Sequence, residues 1–123
     1  MATEVFLKFV AAINAHDVEA LAALMSSDHR FVDSLGHSVA SAASMRAGWG
    51  GYFAMCPDYR IQVDRSISEG DTVLAVGRAG GTIDGIPWQT PAAWRAVVRD
   101  GLVCEWRVFA DNKPVYEILA KRG

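Results

Sequence analysis

The chain is poor in the residues that build metal centres, disulfide frameworks and membrane spans. Three histidines are present, His16, His29 and His37. None has a helical i, i+4 partner or a Cys-x-x-Cys neighbour, so no metal site is expected. The two cysteines, Cys56 and Cys104, lie far apart in separate apolar stretches. They read as reduced buried thiols, with a disulfide or a reactive thiol as the alternatives. No basic run occurs and the net charge is −2, which argues against a nucleic-acid partner. No apolar run approaches the ~20 residues of a membrane span. The opening "MATEVFLKFV" lacks the basic region and cleavage site of a signal peptide. A cytoplasmic protein without membrane contact is therefore expected. A phosphate-binding glycine loop, a nucleophile-elbow serine, an internal repeat and a linker are all missing as well.

Half of the 123 residues are hydrophobic and about a fifth are charged, which suits a single domain over residues 1–123 with one core. The first third reads helical. Val5, Phe6, Phe9, Val10 and Ile13 form one stripe. "NAHD" interrupts it, and Asp17 can cap a second helix carrying Val18, Leu21, Leu24 and Met25. A strand follows, closed by a turn at Ser34 to Gly36. Ser41 can cap a third helix, "SAASMRAGWGGYFAMC", with Met45, Trp49, Phe53 and Cys56 on its apolar face and Pro57 ending it.

The second half reads as strands. In "YRIQVDRSI", Tyr59, Ile61, Val63 and Ile67 alternate with polar residues. Leu74, Val76 and Arg78 share one parity of the next strand. Trp88, Trp94, Ala96 and Val98 go together in the third. Cys104, Trp106, Val108 and Ala110 share a face in the last, opposite Glu105, Arg107, Phe109 and Asp111. "RDG" is a hairpin turn, and Pro91 suggests an edge or a bulge. Helices followed by hairpins give an α+β fold, a curved antiparallel sheet packed on three N-terminal helices and enclosing a pocket. Gly80, Gly81 and Pro91 are the candidate bending points.

Three charged residues could carry chemistry. Read as a strand, "RFVDSLG" places Asp33 on the face of His29, Phe31 and Leu35. A carboxylate among apolar groups reads as a general base, or else as a turn cap paired with His37. Arg78 would need a carboxylate or an anionic ligand if it pointed inward, with Asp33, Asp111 or the substrate as partner. Otherwise it is a solvent-facing arginine. Asp111 ends the last strand, as a second pocket carboxylate or as a loop cap. Phe9, Trp49, Phe53, Trp94 and Trp106 are core, pocket wall or both, and Tyr52 could offer a hydroxyl.

These residues resemble a known family. "FVAAINAHDVEALAALMSSDHRFVDSLG", "CPDYRI" and "VVRDGLVCEWRVFADN" are similar to the opening, middle and closing hairpin of the ketosteroid isomerases and the wider SnoaL-like, nuclear-transport-factor-2-like superfamily. The likeness runs from about residue 5 to 118. It implies a cone-shaped fold with a pocket for a small hydrophobic molecule, no cofactor, and homodimers formed through the outer sheet face, where Glu105 and Arg107 would lie. It places Asp33 where the isomerases keep their base, so an isomerase, cyclase or lyase moving a proton on an apolar carbonyl compound is implied. In those isomerases the base moves a proton beside a carbonyl, and an oxyanion hole stabilises the enolate. The isomerases' helix-one tyrosine is Phe9 here, and their second oxyanion donor falls near Trp94. The limonene epoxide hydrolases are similar in part. Arg78 and Asp111 match two members of their aspartate–arginine–aspartate set, and the third falls at Gly80. The SnoaL-like cyclases use a late-strand aspartate near the position of Asp111. A noncatalytic ligand-binding or protein-interaction module of the same fold is the other reading.

Overall fold

A computed structural model describes residues 1–122. Its elements are α1 (Ala2–Ala15), α2 (Val18–Ala23), β1 (Met25–Val32), β2 (Ser38–Ala40), α3 (Ala42–Met55), β3 (Arg60–Glu69), β4 (Thr72–Ile83), β5 (Ile86–Arg99), β6 (Leu102–Ala110) and α4 (Lys113–Ala120). The strands form one sheet in the order β2-β1-β6-β5-β4-β3. The sheet is curved and unclosed, as the α+β reading expected. All neighbours are antiparallel except β1 and β6, which run parallel.

Local signals set the helix starts. The Asp17 carboxylate accepts from the Ala20 N–H at 3.0 Å, and the Ser41 hydroxyl accepts from the Ser44 N–H at 3.1 Å. Each satisfies a donor that a helix start leaves open. α2 is shorter than its apolar spacing suggested. Leu24 caps it and Met25 already belongs to β1. A fourth helix follows Asn112, with Pro114 in its first turn, where a missing N–H costs nothing.

Bulges in the β3–β4 and β5–β6 ladders decide which residues of those strands face the helices. The β3–β4 register passes from Val63↔Gly77 to Arg65↔Val76, which leaves Asp64 unpaired. Beyond it the parity flips, so Ile67 lies on the convex face with 61% exposure rather than among the buried residues. The β5–β6 register passes from Val97↔Glu105 to Val98↔Val103 and expels Cys104 from the inner face. Val103 takes that place, fully buried. The expected bending points carry no bulge, since the β4–β5 ladder is continuous through Gly80, Gly81 and Pro91. Pro91 sits beyond the last β6 pair, Ala92↔Ala110, so β5 has a strand neighbour there only on the β4 side. Gly77 is the glycine that the close approach requires, because a Cβ there would run into the Gln62 carbonyl.

The core lies between α1, α3 and the concave face. Phe6, Phe9, Ile13, Leu21, Ile61, Val73, Ala96, Val103 and Trp106 are all at or near zero exposure. His29 is among them. Its Nδ1 lies 2.7 Å from the Val103 carbonyl, its ring stacks on Phe9, and its Nε2 has no hydrogen-bond partner. A neutral imidazole donating from Nδ1 fits this setting. Burial pushes its pKa down, while the Val103 carbonyl and Asp28 pull partly upward. The folded pKa therefore lies below the unfolded value, and between the two the unfolded chain binds more protons. Stability should fall as pH drops below about 6.5, the unfolded histidine value. In urea titrations at pH 7.5 and 5, the stability gap between wild type and His29→Gln should narrow or reverse on acidification. A gap independent of pH would contradict this assignment.

Candidate functional site

The end of α1 ties β3 to the helices. Asn14 donates from Nδ2 to the Ile61 carbonyl at 3.0 Å and accepts the Ile61 N–H at 2.9 Å. His16, in a left-handed conformation at the helix end, brings Nε2 to 2.7 Å from the Tyr59 carbonyl. This anchoring holds Tyr59 beside Tyr52 of α3, their rings edge-on at 4.8 Å, and near Trp88 of β5 at 6.1 Å. At the other end of the sheet, the hairpin between β1 and β2 is held by Asp33. Its Oδ1 accepts the N–H groups of Leu35 and His37, each at 2.9 Å, and the turn closes with Gly36 at φ 85°.

Between these ends lies a cavity of about 300 Å³. Aromatic and aliphatic walls come from Phe31, Val39, Met45, Trp49, Tyr52, Tyr59, Ala79, Trp88, Val108 and Ala110. Asp33, Ser34 and Asn112 make its polar side, where the Asn112 amide donates to the Ser34 hydroxyl at 3.3 Å. Asp33 is the one charged residue among those lining the cavity. Its side chain is 38% exposed, and its Oδ2 lies 3.5 Å from His37 Nδ1. Burial pushes the hydroxyl pKa values of Tyr52 and Tyr59 up, so both remain protonated donors at neutral pH. The indole N–H groups of Trp49 and Trp88 are buried without a hydrogen-bond partner among the described residues.

The sequence-derived candidates divide between this cavity and other places. Asp33, Trp49 and Tyr52 line it. Asp33 stands in the turn after β1 rather than in a strand, and Leu35 is exposed to solvent, not turned inward. Phe9, Phe53 and Trp106 do not line the cavity, because they pack against one another's neighbours in the core. Phe9 and Trp106 meet at 4.6 Å, and Phe53 stacks on His16 at 4.2 Å. Trp94 is fully buried and borders a hollow with Ile67, Leu74, Val76 and Phe109.

Arg78 lies away from Asp33. It is about half exposed, on the convex parity of Leu74 and Val76, and faces Asp64 at 3.9 Å. Asp111 is exposed and caps the following turn, its Oδ1 accepting the Lys113 N–H at 3.0 Å. The neighbouring Asn112 reaches the cavity instead. Tyr59, Trp88 and Asn112 escaped the sequence reading. Alternation groups Tyr59 with Ile61 and Trp88 with Trp94, and only the placement of α3 separates wall from core. Among the described residues no three His, Cys, Asp or Glu side chains come together as metal ligands. No helix is long and apolar enough to cross a membrane.

Comparison with known proteins agrees on this architecture. The cone recurs in a proposed SnoaL-like polyketide cyclase from Shewanella denitrificans, with TM-score 0.86, 14% identity, and 98% of this chain and 97% of that chain covered. A proposed SnoaL-like polyketide cyclase from a Jannaschia species gives 0.82 at 22% identity, covering 94% and 88%. A Catenulispora acidiphila protein with a ketosteroid isomerase-like fold, solved in complex with trimethylamine, gives 0.78 at 21% identity, covering 85% and 83%. At these identities the likeness concerns the fold. No curated protein matches the sequence. The SnoaL-like domain profile matches residues 6–106, from the first core phenylalanine of α1 to Trp106 in β6. The match takes in most of α1, all of α2 and α3, β1 to β5 and the first half of β6, and the chain belongs to the SnoaL-like domain family.

Proposed function

We propose that the protein is a small-molecule enzyme that moves a proton on an apolar carbonyl compound, as an isomerase, cyclase or lyase, with Asp33 as general base. The observation that carries this reading is Asp33 itself, a lone carboxylate bordering a mostly apolar cavity. Oδ1 is held by two backbone N–H groups, which fixes the carboxylate, while no backbone donor is bound to Oδ2 among the described residues. A base needs one oriented oxygen of this kind. The protonated hydroxyls of Tyr52 and Tyr59 offer donors for a developing enolate oxygen, replacing the hydroxyl that Phe9 lacks. No metal or organic cofactor enters this scheme. The test is solvent-deuterium exchange at carbons beside the carbonyl in a panel of small ketones, followed by NMR. Wild type should catalyse exchange and Asp33→Asn should not. Equal exchange by both would overturn the reading, and binding without exchange would support a noncatalytic ligand-binding module.

The convex face supports a second part of the proposal, a homodimer. Ile67, Leu74, Val76 and Phe109 expose 61, 46, 54 and 47% of their surface there. On the same face Glu105 Oε2 pairs with Arg95 Nε at 3.4 Å, and Arg107 Nε is buried without a hydrogen-bond partner among the described residues. Partly buried charges beside an exposed apolar patch fit a self-complementary interface. Sedimentation should find a dimer in the wild type and a monomer in Val76→Asp. A wild-type monomer at micromolar concentration would refute the pairing.

A further inference from the structure

The cavity's charge and ring geometry limit what can occupy it. Five of the side chains lining it are aromatic: Phe31, Trp49, Tyr52, Tyr59 and Trp88. Two pairs stand nearly at right angles. Phe31 and Trp49 meet at 79° with centroids 6.2 Å apart, and Tyr52 and Tyr59 at 86° with centroids 4.8 Å apart. Perpendicular rings present faces and edges from several directions around one space. The ring faces carry partial negative charge and attract cations.

No lysine, arginine or histidine lines the cavity, and its single formal charge is that of Asp33. The side chain paired with that carboxylate is His37, which lies outside the cavity lining, 75% exposed, with its Nδ1 3.5 Å from Oδ2. The guanidinium of Arg78 is spent on the convex face, opposite Asp64. An anionic ligand would therefore enter an aromatic space with a carboxylate and no counter-charge. A ligand bearing positive charge would find both the ring faces and Asp33 in its favour.

We propose that this cavity selects organic cations, holding a small alkylated ammonium group against its aromatic rings with Asp33 as the counter-charge, and that it rejects carboxylates and phosphates of similar size. The proposal rests on the reading that this cavity is the ligand site, and not on proton transfer taking place there.

Three probes of nearly the same shape separate the possibilities. Choline carries the cation, 3,3-dimethylbutan-1-ol replaces its nitrogen by carbon, and 3,3-dimethylbutanoate carries a negative charge. Each would be titrated into the whole protein, with binding followed by calorimetry and tryptophan fluorescence. Choline should bind at least about tenfold more tightly than the neutral alcohol, the scale of one or two cation–aromatic contacts. The carboxylate should bind more weakly than either. In Asp33→Asn the preference for choline over the alcohol should shrink severalfold while the alcohol binds as before. Equal or tighter binding of the alcohol by the wild type, tighter binding of the carboxylate, or no saturable binding of choline would each overturn the proposal. Deuterium exchange on ketones reads the proton-transfer proposal separately. Either can fail while the other stands.

Discussion

Trp106→Ala is expected to remove about 3–5 kcal/mol of folding stability, the usual scale for emptying a large aromatic site in a core. Trp106 has no exposed surface, stacks on Phe6 at 5.5 Å and meets Phe9 at 4.6 Å. It faces neither the cavity nor solvent, so the space left behind cannot be filled by a shift of the cavity wall. Domains of this size hold roughly 5–15 kcal/mol in total, so the variant should sit near the edge of folding. Trp106→Phe separates packing from polarity. The indole N–H is buried without a partner, and an unsatisfied buried donor costs about 1–3 kcal/mol. Phenylalanine removes that orphan while leaving part of the ring contact, so it should cost much less than alanine. Urea unfolding with an unchanged slope would measure both. A loss below about 1 kcal/mol for alanine would mean that Trp106 is not part of the packed core.

The residues that were legible in the sequence are those whose role is decided within a few positions. Asp17 and Ser41 cap helices because a side-chain oxygen meets an N–H three residues on. Asp100 and Gly101 turn the last hairpin because both adopt positive φ, 52° and 76°, as the "RDG" motif suggests. Ile67 and Cys104 were misplaced for the opposite reason. Their facing is set by the bulges at Asp64 and at Cys104 itself, and one extra residue reverses every parity beyond it. No element is expected from the sequence after β6, yet α4 begins there with Pro114 in its first turn, where proline is at home.

The candidate site was legible only in part. Asp33 could be found because a carboxylate beside Phe31 stands out, and Trp49 and Tyr52 because they share a helix. Tyr59, Trp88 and Asn112 come from three separate segments that only the folded cone brings together. Nor does alternation separate Trp88, which borders the cavity, from Trp94 on the same strand and parity, which does not. That difference depends on where α3 and the β1–β2 turn lie over the sheet.

Under the proposed proton-transfer role, Asp33→Asn should reduce turnover by about 10²–10⁴-fold, the range ordinarily contributed by a positioned general base, and leave the fold nearly as stable as before. The two effects separate because Asp33 has two oxygens with different work. Oδ1 receives the Leu35 and His37 N–H groups, and an asparagine carbonyl can receive the same pair. In the proposed reaction Oδ2 takes the proton, and an amide nitrogen in its place cannot.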